Sequence, residues 1–173
     1  MKRDKTEELL LRARAYDGDA FVELMELNKQ SMYKVAKAYL KREEDVADAI
    51  SETILDCFEH LESLREPRYF GTWIVRILIN NCNNIRKSNS RTEYTDQIEI
   101  LSGGPRTDER TRAFLDYLEP LEEEDRLIMI LYYVWGFRTR EIAEILHMKE
   151  ATIKSRMQRG RQKIKQAFFP MVV

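Results

Sequence analysis

Apolar residues return every three to four positions along almost all of this chain, and no stretch alternates at period two. That rhythm restricts the fold to packed helices, each burying one face. Only six glycines and four prolines interrupt the 173 residues, so the helices are expected to be long. From Asp19, the expected N-cap, one stripe runs through Phe21, Leu24, Met25, Met32, Val35, Ala36 and Tyr39. A second runs through Val46, Ala49, Ile50, Thr53, Ile54, Cys57 and Leu61. "SLREPRY" ends it, because a residue preceding Pro67 is pushed away from helical angles. A third carries Phe70, Trp73, Ile74, Ile77, Leu78 and Ile85, and Trp73 falls on that stripe as a core residue. Three such helices close a bundle, and Leu9, Leu10 and Ala13 mark a fourth.

The pattern then breaks. "RKSNSRTEYTDQIEILSGGPRTDER" is polar, weakly periodic and contains Gly103, Gly104 and Pro105. It reads as a flexible linker between two small all-α domains, 1–88 and 108–173, with 89–107 between them. About 20 extended residues reach at most roughly 65 Å. Two turns of DNA, at about 34 Å each, are close to that span.

Beyond the linker come a short helix from Arg112 to Leu118, a second from Glu122 to Val134, and then "GFRTREIAEILHMKEATIKSRMQRGR". Thr139 is the expected cap of a helix bearing Ile142, Ala143 and Leu146; a turn at His147 to Lys149 follows. His147 stands where such turns favour glycine, at a modest conformational cost. The last segment, "EATIKSRMQRGRQKIK", holds six cations and one anion in a chain of net charge −1. Ile153, Met157, Gly160, Ile164 and Phe168 form its apolar seam, with the cations outside. Helix, tight turn, basic helix is the helix-turn-helix pattern, whose second helix enters a major groove. Positive charge is concentrated there because that surface must displace counterions from phosphate.

Other classes are disfavoured. No apolar run of about 18 residues is present, which excludes direct membrane insertion by a helical span. The charged start is not a signal peptide. Cys57 and Cys82 lack metal-type spacing and read as reduced, buried thiols of a cytoplasmic protein. His60 and His147 sit in no metal or nucleophile pattern. Hence no metal, no cofactor, no small-molecule substrate and no catalytic residue is expected, and the chain does not read as an enzyme.

"TREIAEILHMKEATIKSRMQRGRQKI" resembles the second DNA-binding region of sigma factors of the sigma-70 superfamily. "EEDVADAISETILDCFEHLESLREPRYFGTWIVRILINNCNNIRK" resembles their first conserved domain. Two blocks in this order, joined by a linker, are similar to the extracytoplasmic function (ECF) group. The resemblance covers roughly residues 5 to 168. It implies sigma region 2 in 1–88, binding core RNA polymerase and the −10 element, and sigma region 4 in 108–173, binding the −35 element.

By that resemblance Asp45, Asp48 and Glu52 dock on polymerase, with Ser51 standing where the family often has Gln. Asn80, Asn83, Asn84, Arg76, Arg86 and Lys87 are implied to meet the −10 element, Asn80 helping to hold a flipped base beside the loop Leu64 to Arg68. Lys154, Ser155, Gln158 and Arg159 match the positions that read the −35 element, Arg159 suited to guanine and Gln158 to adenine. Arg156, Arg161 and Lys163 are expected phosphate clamps, with Thr152 holding phosphate at the helix start. Gly160 stands where the family usually has Ala and is expected to admit close approach of the first helix of the motif. Partners implied are core RNA polymerase, promoter DNA and an anti-sigma factor. "EPLEEEDR" suits three roles: repelling DNA, capping a helix, or contacting polymerase. The alternative is an autonomous helix-turn-helix transcriptional regulator, although its usual sensory α/β domain has no counterpart here.

Overall fold

The computed structural model describes residues 2–92 and 107–170. Eight α-helices and no strand occur among them. The chain divides into two compact units, Met1–Pro105 and Arg106–Val173.

The first unit contains α1 (Lys2–Arg14), α2 (Gly18–Tyr39), α3 (Glu43–His60) and α4 (Phe70–Thr92), with 3-10 turns at Leu61–Ser63 and Pro67–Tyr69. Its core is the predicted stripes brought together: Leu9 and Leu10, Leu24 and Met32, Val46 and Ile50, Phe70, Ile74 and Leu78, all buried. Burying one such side chain contributes about 1.5–3 kcal/mol. Trp73 lies half-buried against Phe70, ring centroids 6.2 Å apart. Asp17, not Asp19, caps α2: its backbone is extended (φ −77°, ψ 98°) and its Oδ1 accepts from the Ala20 N–H. Asp19 falls inside the first helical turn, where a carboxylate still complements the helix dipole. Tyr16, at φ 65°, makes the left-handed turn between α1 and α2, and its hydroxyl donates to Glu62 Oε1 at 2.7 Å.

α4 runs through residues 89–92, which the sequence assigned to the linker. Within 89–107, residues 93–106 lie outside the described residues.

The second unit contains α5 (Glu109–Leu118), α6 (Glu123–Tyr133), α7 (Thr139–Leu146) and α8 (Glu150–Phe168). Leu118, Leu121, Ile128, Leu131, Ile142, Ile153 and Met157 form its core. α7 is capped by Arg138, not Thr139: the Arg138 N–H donates to Glu141 Oε2 at 2.7 Å, and Arg138 is extended (φ −72°, ψ 153°). Thr139 instead donates its hydroxyl to Glu150 Oε1 at 2.7 Å, linking the starts of α7 and α8. His147 makes the turn at φ 54°, ψ 43°, and Met148 N–H closes it on the Ala143 carbonyl at 2.9 Å. That six-to-one bond is the Schellman closure, in which glycine is the usual left-handed residue.

Gly160 faces α6 and Leu121, not α7. A Cβ there would stand 2.7 Å from Met129 Cε and 3.7 Å from the Leu121 methyls. The acidic run opens α6 and pairs with α8: Asp125 and Glu124 with Arg156, and Glu122 with Lys163 at 3.6 Å.

Candidate nucleic-acid interface

An α-helix turns 100° per residue, so α4 sorts its polar residues by phase. Arg76, Asn80, Asn83, Asn84 and Lys87 fall within one side of the helix, and all five are exposed. Amides and cations on one solvent face suit base edges and phosphates together. Arg86 points elsewhere: its guanidinium lies over the Tyr39 ring of α2, 5.8 Å from the centroid. Asn81 and Asn89 lie in phase with the apolar stripe and fasten α4 to α3. Asn81 Nδ2 donates to Thr53 Oγ1 at 3.1 Å and to Asp56 Oδ2 at 2.9 Å. Asn89 Nδ2 donates to Asp45 Oδ2 at 2.9 Å. From sequence alone, Asn81 had no assigned role and Asn89 fell within the linker. Asn81 sharing the phase of Ile74, Leu78 and Cys82 was the signal that separates it.

On α3, Asp48 and Glu52 are exposed on one side of the helix, and Asp45 is half-buried beneath Asn89. Exposed Leu55 continues that side. Phe58 is also exposed, its ring edge-on to Phe21 at 5.4 Å.

α8 presents Lys154, Ser155, Gln158, Arg159 and Arg161 to solvent, while Thr152 is half-buried in the first turn. The motif positions this surface in three ways. Ile153 and Met157 are buried under α8. The Thr139–Glu150 bond sets where α8 starts, and it holds the Glu150 carboxyl below its ordinary range, Lys154 adding to the effect. Arg156 locks the helix to α6. Its Nη1 donates to Asp125 Oδ1 at 2.9 Å, and its Nη2 lies 2.8 Å from Glu124 Oε2. The Asp125 side chain is 7% exposed and that of Arg156 24%. The Asp125 hydrogen bond, opposed by burial and aided by the neighbouring carboxylates, raises the Arg156 pKa. The expected clamp Arg156 is thus turned into the seam between α6 and α8. Arg161 stays on the surface, donating Nε–H to the Tyr133 hydroxyl at 2.9 Å. At the end of α8 exposed Phe168 stacks on Tyr117 at 4.5 Å.

No helix among the described residues is long and apolar enough to cross a membrane.

Comparison with known proteins gives these surfaces a family. "Sigma-70 region 2" matches residues 24–92 and "Sigma-70, region 4" matches residues 111–164, together most of the chain. The RNA polymerase sigma factor SigV of Bacillus subtilis is 27% identical over 77% of this chain and 81% of its own length. The ECF RNA polymerase sigma factor SigW of the same organism is 25% identical over 86% and 89%. Among solved structures, CnrH in complex with the cytosolic domain of CnrY superposes with a TM-score of 0.65 at 19% identity, covering 96% of this chain and 99% of that one. The sigma factor RpoE of Bartonella quintana, solved with the anti-sigma factor NepR, gives 0.61 at 20% identity, covering 86% and 96%. The polar face of α4 lies in the region 2 match and the basic helix-turn-helix in the region 4 match, and the chain accordingly belongs to the sigma-70 family as an ECF RNA polymerase sigma factor.

Proposed function

We propose that the chain divides promoter recognition between its units, with the polar face of α4 on the −10 element and the outer face of α8 on the −35 element. The observation that carries this reading is the phase separation on both helices. Amides and cations form a continuous solvent face on each, while the residues that fasten the helix point inward. Asn80, Asn83, Asn84, Arg76 and Lys87 take the −10 strand, and Arg86 flanks them. Extruding a base costs a few kcal/mol, which the amides and the Leu64–Arg68 segment recover on contact. Lys154, Ser155, Gln158 and Arg159 read base edges, and Arg161 holds phosphate, with Thr152 at the helix start. Arg156 acts by holding α8 in register.

Asp48, Glu52 and Asp45 form the surface for core RNA polymerase. In this reading 1–88 is the polymerase and −10 domain, 108–173 the −35 domain, and 89–107 the tether. The chain contributes binding and orientation and carries out no covalent chemistry. It acts in the cytoplasm. An anti-sigma factor that covers these faces is the expected inhibitor, in keeping with RpoE having been solved with NepR.

The deciding experiment is runoff transcription with purified core polymerase, followed by start-site mapping. Promoter-specific starts that need both elements support the reading. Failure to confer start-site selection, or tight unaided binding to a palindrome, rejects it in favour of an autonomous regulator.

A further inference from the structure

Asp45, Asp48, Glu52, Asp56 and Glu59 follow one side of α3 at spacings of three and four. None of the five has a cationic partner among the described residues. The last turn of a helix also carries partial negative charge from its unpaired carbonyls. A cation is therefore drawn most strongly to the end of α3, and there the stripe closes with His60. One oxygen each from Asp56 and Glu59 and one nitrogen of His60 lie within 4.8 Å of one another. A bound ion with ligands at about 2.0–2.2 Å needs its donors only modestly closer, within the reach of side-chain rotation at this exposed turn.

Two of the three ligands already have their outer partners. Asn81, 7% exposed and hydrogen-bonded to Thr53, donates to Asp56 Oδ2, which leaves Oδ1 as a donor. His60 Nδ1 lies 3.0 Å from the Asp56 carbonyl oxygen, which only accepts. Nδ1 therefore carries the proton and the ring lone pair sits on Nε2. A ligating histidine held by a backbone carbonyl, and a ligating carboxylate held by an amide, form the usual outer shell of a metal centre. Cys57 takes no part: it is fully buried, and burial pushes its thiol up to about 12.

We propose that Asp56, Glu59 and His60 form a binding site for a divalent transition-metal ion of the Zn2+ class, with water filling the open positions. One nitrogen and two oxygens suit such an ion better than Mg2+ or Ca2+, which take oxygen ligands. Metal there ties the last turn of α3 to α4 through Asn81. It also steadies the 3-10 turn Leu61–Ser63 that leads into Leu64–Arg68.

The test is titration of the metal-free full-length chain with Zn2+ by calorimetry, and with Co2+ followed in the visible. It uses neither polymerase nor DNA, so its outcome is independent of the promoter reading. Saturable binding of one ion is expected, with a thermal midpoint that rises with Zn2+ concentration and is unmoved by equal Mg2+. His60→Ala and Glu59→Gln, both at exposed positions, are each expected to weaken binding about tenfold or more with helicity unchanged. Absence of saturable binding, parental affinity in both variants, or a thiolate-to-Co2+ charge-transfer band overturns the site.

Discussion

Arg156 and Arg159 stand three residues apart on the same basic helix, and their surroundings give them opposite roles. Arg156 satisfies buried Asp125, so Arg156→Ala strands a desolvated carboxylate and is expected to cost about 2–3 kcal/mol of stability in urea unfolding. Its direct effect on DNA is small: the slope of log K against log salt stays unchanged in holoenzyme–promoter binding. A phosphate clamp does the reverse, leaving stability alone and lowering that slope by about 1. Arg159 is exposed, so Arg159→Ala is expected to leave stability within about 0.5 kcal/mol. It is expected to lose about 1–3 kcal/mol at one base pair of the −35 element, read from promoter variants. Equal weakening on all variants makes the contact one to phosphate. Asp17 gives a pH test. The Ala20 N–H and the Arg12 guanidinium hold its carboxyl below the ordinary value. Its stabilising effect is therefore present above the unfolded-state value near 4 and fades as pH falls through the lower folded value. The stability gap between the parent and Asp17→Asn should narrow through that acid window and be constant from pH 5 to 7.

At the scale of elements, the turn of the helix-turn-helix carries a measurable strain, and the seam under α8 is close-packed at a glycine. His147 is held at positive φ, so His147→Gly is expected to stabilise by about 0.5–1 kcal/mol in thermal unfolding. Gly160 is helical and faces Met129 Cε, the flexible end of a side chain. Gly160→Ala gains up to about 1 kcal/mol of helix propensity and loses part of it to moving that methyl. Gly160→Leu overpacks the seam and is expected to cost about 1–3 kcal/mol. These elements also show what the sequence made legible. Buried faces were readable because the apolar period fixes phase: Phe70, Ile74 and Leu78, or Ile153 and Met157, had one way to turn. Helix starts were less so. Asp17 and Asp19 are both good caps, and the choice rests on which one stays extended, a matter of the Tyr16 turn before it. The inward turn of Arg156 was hidden, since its partner Asp125 lies 31 residues upstream and no local period connects them. The sequence placed His60 in no metal pattern, because Asp56, Glu59 and His60 at i, i+3 and i+4 look like any polar helix end. What the sequence withheld was Asn81 reaching across from α4 to hold the first of them.

For the whole molecule, a net charge of −1 hides an arrangement in which opposite charges gather on different helices. Acid is gathered on α3 of the first unit and base on the outer face of α8 in the second. Attraction to DNA is therefore local to the cations of α8 and α4, and the free chain has little overall electrostatic pull toward a polyanion. Selectivity then depends on polymerase bringing the units to a promoter, and the two contributions should separate by mutation. Glu52 is exposed on the acidic side of α3, so Glu52→Lys reverses a charge without touching the core. It is expected to slow association with core polymerase, more strongly at low than at high salt, because exposed charges act chiefly on encounter. Raising the concentration of Glu52→Lys should then restore full transcription with unchanged preference at both elements, since a defect in encounter yields to mass action. Arg159→Ala should resist such rescue in preference, although not in amount, because the lost contact lies in the promoter complex itself. Titrating both variants against core enzyme on promoters altered at one element at a time reads the two effects separately. A change of −35 preference in Glu52→Lys would show that the acidic face is part of DNA reading, and the division of roles between the units would then be wrong.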